Sequence, residues 1–457
     1  MKKIIRNIII FYFILSVFAC SHHKKSGTTK ILGKIINPKK REIVISHDPF
    51  NVSSDTLYIH SGNKFFGEIN IEKEGLHYLF VFPEFQVMYI KPGDSIAFVL
   101  NTTEFDESLS FSGTSGFENN LLIELFLANE KENMQIRREL KDLSPRQLDK
   151  KLDSFYKIKQ ALVDSYKPRY NKTSRQFKKT VDLYNKVPQY RIRENYLRQH
   201  KEDSIPVYFT KYRDFLKKPV VDANLPDLLY FAKTYIENRL GNEEKKDFRS
   251  YHKAADLINA EIADPDLRDN ILMIYCKNYI IGESVRDASD SVFQKYAASM
   301  KSSSYVSHCK DFINKNTLLA PSREFPDIQV IDANKKFYNL HDILQDNKSI
   351  LSYWDIFYRS NFTSNLKKLK SIKEKNPGLQ IIILNDNPED FEEWKLQIPQ
   401  DSAFKFYQIQ VNGNEIKKFL PYGLNQVFLL DSTRIKQSMI NLYDANFQNE
   451  LNDFINP

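Results

Sequence analysis

Residues 349–370 read SILSYWDIFYRSNFTSNLKKLK, and their reading decides how the last third of the chain folds. The run SILSYW is short and ends in the aromatic pair Tyr353-Trp354, as a strand buried on both faces would. Phe362, Leu366, Leu369 and Ile372 then recur three and four apart with lysines between them, so a helix starts a few residues beyond the strand. Outward from this pair the alternation continues. IIIL at 381–384 is a second, wholly apolar strand, and DFEEWKLQI at 390–398 a second helix. QVFLLD and IKQSMIN flank residues 431–434 as two strands, and Phe447, Leu451 and Phe454 mark a closing helix. Upstream, IQVIDANKKFYNL leads into the first strand. Apolar strands between helices imply a sheet covered on both faces, with the last two strands as an antiparallel edge.

The rest of the 457 residues exceeds one ordinary core, so several domains are expected. Residues 28–115 carry seven short strand patterns, from KILGKII to SIAFVL, separated by Asn-Pro, Asp-Pro, Ser-Gly and Pro-Gly signals. They predict an antiparallel β-sandwich, with a tight turn at Lys91-Pro92-Gly93-Asp94. Between 116 and 320 the period becomes helical, as in SPRQLDKKLDSFYKIKQALVDSY. Asp264-Pro265 opens a helix there, DLRDNILMIYCKNYII is apolar on nearly every side, and Pro188, Pro206, Pro219 and Pro226 are expected to break the region into pieces. The fold class is therefore multidomain α+β: sandwich, helical middle, and an α/β domain over 321–457.

The net charge is +8, and three of the cations, Lys2, Lys3 and Arg6, stand together at the N-terminus. Elsewhere the signs are mixed, as in EKENMQIRRELKDL, which suits solvated helix faces and argues against a nucleic-acid partner. Residues 8–19 form an apolar run too short to cross a bilayer, and Cys20 follows directly. The ending Val17-Phe18-Ala19-Cys20 resembles the lipobox of bacterial lipoproteins. That resemblance implies a lipoprotein signal peptide over residues 1–20 cleaved just before Cys20, which is acylated and becomes the new N-terminus, a polar tether over 21–27, and a membrane partner reached through the lipid. It also implies a place in the envelope, expected at the outer membrane facing the periplasm.

Residues 322–457 resemble the thioredoxin-like domains of envelope thiol-disulfide oxidoreductases. The matching stretches are EFPDIQVIDANKKFYNLHDI, Tyr353-Trp354, LKKLKSIKEKNPGLQIIIL and YGLNQVFLLD, in that order. YIKPGDSIAFVL with LSFSGTSGFENNLL resembles the β-domain that precedes such domains in Bacteroidota lipoproteins. The family carries Cys-x-x-Cys at the start of the helix after the aromatic-Trp pair, where the helix N-terminus favours thiolate and the second thiol resolves the mixed disulfide. Those two positions fall on Tyr358 and Asn361. A phenol and an amide cannot cycle through a disulfide. The family's cis-proline position falls on Asn425, and Trp354 and Arg359 are candidate groove contacts.

Two other cysteines remain. Cys276 reads as a small buried hydrophobe, and Cys309 is the only residue it could bridge once Cys20 is acylated; such a disulfide would contribute about 3–4 kcal/mol on chain-entropy grounds. The nine histidines show no paired ligand spacing, and no phosphate-binding, dinucleotide-binding or nucleophile-elbow motif occurs, so neither metal nor cofactor is implied. The functional expectation is a redox-inactive binding or scaffolding lipoprotein with a protein or peptide partner. The alternative is a thiol-disulfide oxidoreductase, of the redox-homeostasis or cytochrome-maturation type, that uses cysteines outside the motif.

Overall fold

The computed structural model describes residues 27–82, 84–200, 205–241, 248–354, 359–385, 391–398, 404–409, 426–444 and 446–456. The chain is mixed α/β and divides into two compact units, residues 1–212 with 221–231, and residues 213–220 with 232–457.

The first unit begins with eight strands: β1 Gly27–Ile36, β2 Glu42–Ser46, β3 Ser54–Tyr58, β4 Lys64–Ile71, β5 Gly75–Val81, β6 Glu84–Ile90, β7 Ser95–Asn101 and β8 Ser110–Gly113. They form two four-stranded sheets, ordered β4-β1-β7-β8 and β3-β2-β5-β6. Alternate residues of both, among them Ile31, Ile35, Ile69, Phe98, Ile43, Ile45, Leu79 and Met88, share one core. Two features depart from the expected seven antiparallel strands. SFSG pairs as an additional strand, and β1 runs parallel to β7. The second pairing puts Gly33, at φ +156°, where a Cβ would lie 1.9 Å from the carbonyl oxygen of Phe98, so only glycine fits. The turn at 91–94 forms as expected: Gly93 takes φ +79°, Asp94 N–H donates to the Lys91 carbonyl at 3.1 Å, and the Asp94 carboxylate accepts from Lys91 N–H at 2.8 Å.

Three long helices follow in the same unit: α1 Gly116–Glu139, α2 Pro145–Ser165 and α3 Arg175–Gln199. Ser144 and Gln147 cap α2 reciprocally. Pro188 does not break the chain but lies inside α3. Proline cannot donate to the carbonyl four residues earlier, that of Tyr184, and Asn129 of α1 supplies a donor in its place at 3.4 Å. Helix α4, Pro226–Leu240, spans the border of the two units.

The second unit continues with α5 Phe248–Glu261, α6 Pro265–Gly282, α7 Ser291–Ser299 and α8 Ser303–Leu318. Asp264 caps α6 by accepting from the N–H groups of Asp266 and Leu267, and Leu267, Ile271, Leu272, Met273, Cys276 and Ile280 are fully buried, as its apolar surround predicted. A seven-stranded sheet follows, built from β9 Gln329–Ile331, β10 Phe337–Asn339, β11 Lys348–Trp354, β12 Gln380–Asn385, β13 Lys405–Ile409, β14 Gln426–Asp431 and β15 Arg434–Asn441 in the order β10-β9-β13-β12-β11-β14-β15. A short helix at Leu340–Leu344 and three longer ones accompany it: α9 Arg359–Lys375, α10 Phe391–Gln397 and α11 Phe447–Ile455. Its central strands bury both faces. Ile350, Ile381, Ile383, Val427 and Leu429 pack with Leu369, Trp394, Leu451 and Phe454, while Leu351, Ile382, Leu384, Phe428 and Leu430 pack with Leu340 and Ile343. The expected antiparallel edge is the β14–β15 pair.

Candidate functional site

The strand-to-helix junction singled out by the resemblance sits at one end of β11. This strand runs parallel to β12 and antiparallel to β14, with Ser352 opposite both Ile383 and Val427. The register therefore brings the C-terminal end of β11, at Trp354, beside the start of β14, at Gln426. Arg359 is the first residue of α9 and Asn361 lies in its first turn. Tyr358, Asn425 and Cys20 lie outside the described residues, as do the side chains of Trp354, Arg359 and Asn361. What the topology supplies is the frame of the site: a central strand, a helix of seventeen residues opening behind it, and a neighbouring strand that starts at the same end of the sheet.

Cys276 and Cys309 do come together, but not as a disulfide: both are free thiols. Cys276 lies in the body of α6 and Cys309 in the body of α8, each completely buried. The Cys309 thiol donates to the Met273 thioether, with Sγ and Sδ 3.3 Å apart, and the Cys276 thiol interacts with that of Cys309. The interaction with Cys309 and burial push the Cys276 thiol well above its ordinary range. A protonated, enclosed thiol in mid-helix is a poor nucleophile, and the pair has neither the exposure nor the helix-end field of a redox dithiol.

Sequence reasoning missed two clusters. Lys159, wholly buried on α2, donates to Asn129 at 2.6 Å and to Glu132 at 2.8 Å, both on α1. Burial pushes the Lys159 ammonium down and the Glu132 carboxyl up, and each one's charge opposes the other's shift. The signal was present: Lys159 falls in register with Leu148, Leu152, Phe155 and Val163 on the buried face of α2. In the sandwich, His47 and His77 approach Nδ1 to Nδ1 at 3.0 Å, and His47 Nε2 lies 2.9 Å from Asp55. Burial, then the neighbouring His47 and Lys73, hold the His77 imidazole down to about 3. The helical part of the first unit also has a cleft of about 480 Å³, walled by Tyr156, Tyr190, Tyr208 and Tyr212; Arg193 there pairs with Asp149 at 2.9 Å. Among the described residues no group of three His, Cys, Asp or Glu side chains could hold a metal ion, and no helix is long and apolar enough to cross a membrane.

No protein-family model matches the chain, and no curated protein matches it. Solved structures do. The thioredoxin domain of a thiol-disulfide oxidoreductase from Bacteroides vulgatus is 20% identical, covers 30% of this chain and 98% of its own, and superposes with a TM-score of 0.24. A thiol:disulfide interchange protein from a Bacteroides species is 19% identical, with 30% and 91% covered and a TM-score of 0.25. The chain is thus similar, over less than a third of its length, to thioredoxin-like domains of thiol-disulfide oxidoreductases.

Proposed function

We propose that this chain is an envelope lipoprotein, anchored through an acylated Cys20 at the outer membrane and facing the periplasm, whose thioredoxin-like part keeps the scaffold without the redox chemistry and serves as a binding module for a protein or peptide. One observation carries the reading: no cysteine occurs after Cys309, so the positions of both family thiols are held by Tyr358 and Asn361. Sulfur exchange has no nucleophile there. Tyrosine and arginine at 358 and 359 are side chains well suited to contact, and the tyrosine-walled cleft of the helical region offers a second surface of the same character.

The test is insulin reduction with dithiothreitol, run on the full chain beside Cys276→Ser and Cys309→Ser. The expected result is no turnover above the reductant alone in any of the three. Turnover by the unmodified chain that disappears in either variant would establish the oxidoreductase reading instead. Metabolic labelling with palmitate, lost in Cys20→Ala, checks the anchor.

A further inference from the structure

Three sulfurs meet in the second unit on two adjacent helices. Met273 and Cys276 are three residues apart and so share one face of α6, and Cys309 reaches them from α8. The Cys309 thiol donates to the Met273 sulfur at 3.3 Å, the Cys276 thiol lies close enough to Cys309 to interact with it, and all three side chains are completely buried. A core needs no such meeting, because leucine or alanine would fill the same space. We propose that Met273, Cys276 and Cys309 form a binding site for a soft monovalent metal ion, Cu(I).

The donor set selects the metal. Thiolates and a thioether are soft ligands that favour Cu(I), whereas Zn(II) takes four nitrogen, sulfur or oxygen donors in a tetrahedron. No third His, Cys, Asp or Glu joins the two cysteines, since no such group of three exists among the described residues. Binding breaks two S–H bonds, forms two Cu–S bonds and one dative bond from Met273, and releases two protons to solvent with no change of oxidation state. Two thiolates on one monocation leave a single negative charge. Lys277, the residue after Cys276, answers it: its ammonium, half-buried, lies 4.9 Å from the centre of the Phe312 ring on α8. Beside a bis-thiolate metal centre its positive charge balances that of the sulfurs. Because the sulfurs are closed off from solvent, uptake waits on local opening of the two helices, so binding is slow and the metal, once in, is held against exchange.

The test is an anaerobic titration of the full, reduced chain with Cu(I) against bathocuproine disulfonate, each point taken to equilibrium. The result expected is one Cu(I) per chain with three sulfur neighbours by X-ray absorption and two protons released. Binding should be abolished in Cys276→Ser and in Cys309→Ser. Met273→Leu, which preserves core volume, should fold normally, bind more weakly and show two sulfur neighbours. Lys277→Met should weaken binding by roughly tenfold or more. No competed copper, or copper bound equally by the unmodified chain and by folded Met273→Leu with no three-sulfur signature, would overturn the proposal and leave the cluster as packing.

Discussion

His77 illustrates what one buried side chain does to the pH dependence of the whole first unit. In the unfolded chain its imidazole protonates near the ordinary 6.5, and in the fold it is held down to about 3, so between those values the unfolded state binds more protons. Stability therefore falls as the pH is lowered through this window, by up to about 1.4 kcal/mol per unit from this residue. The groups facing it are His47, itself against Asp55, and Lys73. Urea unfolding of the full chain followed by circular dichroism at pH 7 and pH 5 should show a smaller loss on acidification in His77→Leu than in the unmodified chain. Equal losses would mean that His77 is not held neutral. None of this was legible in the sequence. His47 and His77 are thirty positions apart, and what joins them is the β2–β5 register, which sets Ser46 opposite Tyr78. Cys276 and Cys309 show the converse: their proximity was anticipated as a bridge, and the sulfurs do meet, but as free thiols with Met273 as a third member.

At the scale of the element, the apolar spacing was enough to mark residues 116–320 as helical but not to say which prolines the helices tolerate. Pro206, Pro219 and Pro226 lie outside helices or at a helix start, whereas Pro188 sits within the twenty-five residues of α3. The deciding group is remote: Asn129 on α1 donates to the Tyr184 carbonyl that the proline leaves without its backbone partner, and accepts from Lys159 on α2. One amide thus joins three helices. Asn129→Ala should lower stability by about 2–3 kcal/mol, since it strips the carbonyl of its donor and the buried ammonium of one acceptor. Pro188→Ala restores the intrahelical N–H, so it should recover part of that loss in the Asn129→Ala background and do little in the parent chain. Denaturant unfolding of the four proteins closes this cycle, and strictly additive effects would show that Asn129 does not stand in for the missing donor. The sheet needed no such remote information. The apolar runs of β11, β12 and β14 showed which strands are buried, because such runs depend on near neighbours alone, whereas β13, Lys405–Ile409, was not anticipated.

The molecule as a whole divides where no local signal marks a border. The compositional shifts near residues 116 and 320 are real changes of period, yet the two compact units part inside the helical region, and residues 221–231 belong to the first unit while 213–220 belong to the second. The reason is long-range hydrogen bonding. Asp222 accepts from the N–H of Leu76 at 2.6 Å, Tyr78 donates to the carbonyl of Asn224 at 2.6 Å, and the Asn224 amide donates to the carbonyls of His47 and Leu76, each at 3.0 Å. A segment more than 140 residues downstream thereby completes the end of β5. This arrangement makes a prediction with a built-in control, because both tryptophans, Trp354 and Trp394, belong to the second unit. Asp222→Ala removes a charged acceptor from a buried N–H and should cost the first unit about 1–3 kcal/mol. In urea, far-ultraviolet circular dichroism, which reports both units, should then gain an earlier transition. Tryptophan fluorescence, which reports the second alone, should keep its midpoint. If both signals moved together, the two units would be unfolding as one cooperative body, and the local contacts of residues 221–231 would be stabilising the entire chain rather than the unit they complete.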